Sequence, residues 1–206
     1  MKNTNYAIIS GSTRQNSQSR KVANFISKSL AQQTQNERIQ LIDLAEEKFP
    51  LWDESIWSQG IDWHSTWSDI SKKLTKSDAI IIIAPEWNGM APPQLMNFFQ
   101  LCSHKELSHK PGLIVSVSSN HGGAYPVAEL RMNSFKNTKI CYIPEHLIIR
   151  DVNNVLNDSD ALLSDADKYI RDRIEHTLSL LQIYAESFKT IRMHEVVNNS
   201  KYPYGM

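Results

Sequence analysis

Apolar and polar positions alternate between two rhythms along this chain. Short runs such as Tyr6-Ala7-Ile8-Ile9 and Ile80-Ile81-Ile82-Ile83 have no period-2 alternation. Such runs mark strands buried on both faces, as in a parallel sheet covered by helices. Between them apolar residues recur at spacings of three and four, the mark of a helix with one buried stripe. The first strand spans about Thr4 to Ser10, and the helical pattern that starts near Arg20 carries Val22, Phe25, Ile26 and Leu30. Glu37 to Asp43 is a second strand. Trp67, Ile70 and Leu74 mark a helix ending near Lys76. Asp78 to Ala84 is the strongest strand, and a helix resumes after Pro93 with Leu95, Phe98, Phe99 and Cys102.

Gly112 to Ser118 is a fourth strand, followed by a helix carrying Val127, Leu130 and Phe135. A fifth is split by Pro144 into Ile140–Tyr142 and Leu147–Ile149. A final helix spans about Ser164 to Ile191, with Ser164 and Asp167 as a capping-type start. Five strands joined by crossover helices predict a three-layer α/β/α domain, parallel throughout, of flavodoxin-like order 2-1-3-4-5. Residues 1–192 form this single domain, and 193–206 are a tail. In that order the loops after strands one, three and four neighbour one another at the carboxyl edge, where open α/β sheets bind ligands.

Composition narrows the classes. The 206 residues suit one domain, and 22 basic residues balance 22 acidic ones. That balance argues against a non-specific nucleic-acid or membrane-surface binder. It also departs from the acidic surface of many small electron carriers. No 18-residue apolar stretch and no apolar leader is present, which predicts a cytoplasmic protein. Cys102 and Cys141 are expected as buried thiols. The seven histidines show no metal-ligand spacing, and no nucleophilic triad is visible.

The first loop, Ser10-Gly-Ser-Thr-Arg-Gln-Asn-Ser-Gln-Ser19, is small and polar at a strand–helix junction. There backbone amides and the helix dipole suit a phosphate. Ser10, Ser12, Arg14, Ser17 and Ser19 are the candidates; the alternative is a turn with a Ser N-cap. The third-strand loop, Pro85-Glu86-Trp87-Asn88-Gly89, offers backbone groups, an amide and an aromatic plane to a flat heteroaromatic edge. Ser118, Ser119, Gly122 and Gly123 offer similar groups with little bulk. FMN meets both demands. A dinucleotide fits less well, because the first loop lacks G-x-G-x-x-G and only Asp43 is a candidate for a ribose. His121 is a further candidate for a nicotinamide or substrate contact. Four of the five tryptophans, Trp52, Trp57, Trp63 and Trp67, fall within sixteen residues. They are either packing anchors or an interface or lid surface.

These residues also carry a family resemblance. Gly11, Ser12, Arg14 and Ser17 match a G-S-x-R-x-x-S loop; Pro85 to Gly89 match P-E-Y-N-G with Trp87 for Tyr. Leu95 with Asn97, Lys110-Pro111, and Gly122-Gly123 leading to Leu130-Arg131 follow. In that order, and with the F-P-L-W-D-E loop at residues 49–54 ahead of Pro85, they resemble the NADPH-dependent FMN reductase family, over about residues 5 to 190. Met90, Pro93, Met96 and Gln100 depart from its usual Ser, Gly, Lys and Asp. The resemblance implies FMN, NADPH or NADH, a small-molecule acceptor such as a flavin, quinone or azo compound, and a homodimer or homotetramer. It implies a two-step transfer in which the flavin does the chemistry, so no catalytic side chain is assigned. The alternatives are an electron carrier and a non-catalytic binding protein of the same fold.

Overall fold

The computed structural model describes residues 4–33, 38–57, 61–158, 163–198, 201–202 and 204–205, with backbone alone for 61–66 and 198. Glu37, the Trp63 side chain and Pro203 therefore lie outside the described residues. The strands are β1 (Asn5–Ser10), β2 (Arg38–Asp43), β3 (Ala79–Pro85), β4 (Pro111–Val117) and β5 (Cys141–Ile149). All pair in parallel, in the order β2-β1-β3-β4-β5. The expected order is the observed one. Every residue of β3 and β4 is buried, the outcome of runs that are apolar on both faces.

The helices are α1 (Gln18–Gln33), α2 (Ile61–Thr75), α3 (Pro93–Leu101), α4 (His104–Leu107), α5 (Ala124–Asn133), α6 (Asp165–Met193) and α7 (Glu195–Asn198). α1 and α6 cover one face of the sheet, where Val22, Ile26 and Leu30 meet Ile8, Ile81 and Ile174. α2, α3 and α5 cover the other, where Ile70, Leu95, Phe98 and Leu130 meet Ile9, Ile80 and Ile82. Each fully buried large apolar side chain contributes roughly 1.5–3 kcal/mol, so these two layers drive the fold.

The strand bounds fall within a residue or two of expectation, and four features differ more. α1 begins at Gln18, because Ser17 Oγ accepts the amide of Arg20 at 3.1 Å and starts the helix early. β5 is one strand, not two: its register against β4 shifts between Gly112 and Ile114, so Ile143-Pro144-Glu145 form a bulge, with Ile143 buried in the core and Pro144 exposed. A bulge tolerates a proline that has no amide to donate. Arg131 gathers the bulge, donating to the carbonyls of Ile143 at 2.7 Å and Pro144 at 3.0 Å. α5 stops at Asn133, leaving Phe135 exposed. α4 was not expected, although Ser103 and Glu106 form a capping box that the S-x-x-E spacing spells out.

Candidate functional site

The carboxyl ends of the strands are tied to one another beyond the regular ladder. Leu44 N donates to Ser10 O, Gly11 N to Ile83 O, Glu86 N to Val117 O, and Ser118 N to Ile149 O. These bonds, 2.8–3.0 Å long, bring the first residue of each loop into a single row. The loops after β1, β3 and β4 therefore share one edge, as the topology required.

In the β1–α1 loop, Ser12 Oγ accepts the amide of Arg14 at 3.2 Å, and Asn16 sits at φ +52°. Both Ser12 and Ser17 are thus occupied in shaping the loop. Ser10, Ser12 and Ser19 are almost wholly buried, at 0%, 2% and 1% exposure, so none of them presents a hydroxyl surface. Arg14 is exposed and has no carboxylate partner among the described residues. Arg20 is committed elsewhere, to Asp43 at 2.6 Å. Asp43 also accepts the amide of Ala45 at 3.2 Å, which closes it to a ribose.

The loop fits a phosphate-bearing group. Among the described residues, the amides of Gln15, Gln18 and Ser19 donate to no protein acceptor. The first-turn amides of a helix are a ready anion cradle. Gln18 Oε1 is buried without a partner, an unmet polar atom in the floor of the loop.

The β3–α3 loop is a tight turn. Trp87 N donates to Met90 O and Met90 N to Trp87 O, at 2.9 and 3.0 Å. Asn88 and Gly89 between them take φ +50° and +75°. That is the φ signature of a type I′ turn, for which Asn-Gly is the preferred pair. Asn88 and Gly89 stand exposed at its tip, with Trp87 half-buried behind them, while Pro85 is buried in the strand end. Glu86 does not only offer backbone: its Oε2 accepts the amide of Gly123.

The β4–α5 loop is held from both sides. Ser118 Oγ accepts the amide of Asn120 at 3.2 Å, and Ser118 O that of Val152. Arg150 Nε donates to Gly122 O at 3.0 Å. Gly123, at φ +103°, is the N-cap of α5 and has no side chain to cap it. His121 is exposed at the loop tip. Lys21 of α1 donates to the carbonyls of Val152 and Val155 and to Asn157 Oδ1. It thereby fixes the segment after β5 against which this loop rests. Burial pulls the Lys21 ammonium below the ordinary lysine value, with the Asp167 carboxylate acting the other way.

Several residues that match motifs are structural staples. Asn97 Oδ1 accepts the amide of Trp52 at 2.7 Å and its Nδ2 donates to Pro50 O at 2.9 Å, pinning the F-P-L-W segment to α3. Lys110 Nζ donates to the carbonyls of Leu74 and Thr75 at the end of α2. The tryptophan cluster divides: Trp67 packs edge-on against Phe49 and Phe98 in the core, while Trp52 and Trp57 form an edge-on pair at the surface. Glu129 and Arg150 were not expected at the site, and no local sequence signal marks them. Among the described residues there is no cluster with metal-ligand geometry, and no helix is long and apolar enough to cross a membrane.

Comparison with known proteins bears on the family and the fold. A family model described as NADPH-dependent FMN reductase matches residues 4–154. A quinone reductase of Pseudomonas putida is 29% identical over 123 residues, 58% of this chain and 62% of that protein. The chain thus matches less than two thirds of that relative's length. Among solved structures, the Paracoccus denitrificans flavoenzyme NAD(P)H:(acceptor) oxidoreductase FerB superposes with a TM-score of 0.68 at 17% identity, covering 90% of this chain and 98% of that one. An FMN-dependent NADH-azoreductase from Bacillus anthracis, solved in complex with FMN, gives 0.59 at 16% identity, covering 87% and 99%. At such identities the structures establish the shared fold.

Proposed function

We propose, from the premise that this chain belongs to the NADPH-dependent FMN reductase family, that it binds FMN at the carboxyl edge of its sheet and passes electrons from NADPH or NADH to a small acceptor. The observation that carries this is the juxtaposition of an open-amide loop at the start of α1 with an exposed Asn-Gly turn in the next strand's loop. One supplies an anion cradle and the other a hydrogen-bonding edge for a flat ring. When bound, FMN supplies the redox chemistry, accepting two electrons as hydride and releasing them to the acceptor.

The chain's own residues bind and orient. The amides of the β1–α1 loop, with Arg14 and Ser17, hold the phosphate. Ser10, Ser12 and Ser19 contribute through backbone and packing, since their side chains are buried. Trp87 and Asn88 meet the ring, with the Glu86 and Gly89 backbones beside them, and Pro85 fixes the strand end. Ser118, Gly122 and Gly123 flank its other side. The exposed Leu51, Trp52 and Trp57 are the surface on which a second copy of the chain closes the site, since Trp concentrates at interface cores. The acceptor is a flavin, a quinone or an azo compound.

The experiment is a titration of flavin-free protein with FMN, followed by NADPH and NADH oxidation with free FMN, a benzoquinone and an azo dye. Saturable FMN binding with acceptor-dependent oxidation of one nucleotide is expected. A protein that binds no FMN sinks the whole proposal. One that binds FMN yet oxidises neither nucleotide with any acceptor is an electron carrier, and the reductase assignment falls.

A further inference from the structure

Two carboxylates cross the gap between the ring-facing turn and α5 in opposite directions. Glu86, in the turn, reaches over to accept the amide of Gly123 at 2.5 Å. Glu129, in the second turn of α5, reaches back to accept the amide of Ala91 at 2.8 Å. The partners are 37 and 38 residues apart in the chain, so neither bond is a local cap. α5 begins at a glycine and carries no side-chain cap of its own. Its amino-terminal amide is capped from another loop, by an acidic group that the helix dipole favours.

The fit around Glu86 is close. A Cβ on Gly122 would lie 2.7 Å from Glu86 Oε1, so the absent side chain leaves room for the carboxylate. Arg150 holds the Gly122 carbonyl from the far side. The carboxylate is thus set between the two loops that flank the proposed ring site, half-buried and in fixed geometry. A charge in such a place acts more strongly than one in water.

We propose that Glu86 and Glu129 form a reciprocal clamp that fixes the gap between the turn at Trp87–Met90 and the loop after β4, and that the charge of Glu86 lowers the reduction potential of a flavin held there. Both are positioning residues. The second half rests on the FMN-binding proposal above. Its sign follows from electrostatics: reduction adds negative charge to the ring, and a neighbouring carboxylate opposes that.

The test uses the full chain. In flavin-free protein, amide hydrogen exchange is followed at Gly123 and Ala91 in wild type, Glu86→Ala and Glu129→Ala. The clamp predicts at least tenfold faster exchange at both amides in each variant. Unchanged exchange at both sites overturns the clamp, whether or not the protein binds flavin. With FMN bound, Glu86→Gln keeps an acceptor for Gly123 and removes the charge. Exchange at the Gly123 amide should stay near that of wild type while the midpoint potential rises. Glu86→Ala should weaken FMN about tenfold. A Glu86→Gln potential equal to wild type overturns the electrostatic half. Failure of the wild type itself to bind FMN overturns that half together with the functional proposal, and leaves the exchange result to judge the clamp.

Discussion

The two edges of the sheet are both rich in polar groups, and they use them in opposite ways. At the amino edge polar groups saturate one another. Asp78, ahead of β3, receives Arg192 at 2.8 Å, Lys189 at 3.1 Å and the amide of Asn5 at 3.0 Å. Arg192 also donates to His109 O, and Lys110 caps the end of α2. Lys139 donates to Tyr202 O at the same edge. At the carboxyl edge the backbone builds the shape and leaves donors open: the amides of the β1–α1 loop, the Arg14 guanidinium and the tip of the Asn-Gly turn. Density of polar residues does not distinguish these ends. Unspent hydrogen-bonding capacity does.

Displaced titrations alone would select the amino edge, away from the candidate site. Burial lowers Lys110 to about 8, with Arg192 adding to the effect. Burial, Lys139 and Arg192 lower His109, and burial pushes the Cys102 thiol well up. Perturbed groups often mark functional sites, but structural networks perturb them too. Here the network belongs to folding, and that can be broken directly. Asp78→Ala leaves two partly buried cations facing each other without their carboxylate. It should cost about 4 kcal/mol, within the range for breaking a buried ion pair. Urea unfolding at neutral pH reads this. FMN affinity of the folded fraction should stay as in the wild type. A variant of normal stability would show that the amino edge is no more saturated than the other.

Lys110 sharpens the same contrast through pH. A lysine whose folded value is about 8 binds fewer protons folded than unfolded between pH 8 and its ordinary value of roughly 10.4. Stability at this site therefore rises with pH across that window and carries its full penalty below it. The difference in unfolding free energy between wild type and Lys110→Met should grow in favour of the wild type by roughly 3 kcal/mol from pH 7 to 10.5. Taking the difference cancels the opposing titration of the half-buried Cys141, common to both proteins, whereas the buried Cys102 thiol is coupled to Lys110 and is read together with it. Neutral lysine still donates to the Leu74 and Thr75 carbonyls, so the cap survives deprotonation. A flat difference would mean that the ammonium is hydrated.

The contrast also explains what was legible in the sequence. Strands read clearly because β3 and β4 are buried on both faces and their runs have no competing period. Asn88-Gly89 read as a turn because few residue pairs take positive φ twice. Glu86, Asn97, Lys110 and Arg131 fall within or beside recurring motifs, and motif alone does not separate a ligand from a staple. Their partners lie 37, 47, 36 and 12 residues away, beyond any local pattern. The burial of Ser10 and Ser19 was likewise invisible, since serine frequency says nothing about which hydroxyl is covered. The β5 bulge hid because Pro144 reads as a strand break until the register is known.

The smallest expected effect is the most diagnostic. Arg14 is exposed and unpaired among the described residues, so Arg14→Ala should change stability by less than about 0.5 kcal/mol. A charge-assisted contact to phosphate is worth roughly 1.5–3 kcal/mol. Losing it should weaken FMN about ten- to a hundredfold, or roughly 1.4–2.7 kcal/mol in binding. Arg14→Lys should fall between, because lysine keeps the charge and loses the planar fork. Flavin titration and thermal unfolding of the same preparations read the two quantities side by side. Together with Asp78→Ala this makes a double dissociation: one edge moves stability and spares binding, the other moves binding and spares stability. If Arg14→Ala lowers Tm and leaves FMN affinity intact, the two edges do not differ in kind, and the phosphate cradle at the start of α1 is wrongly placed.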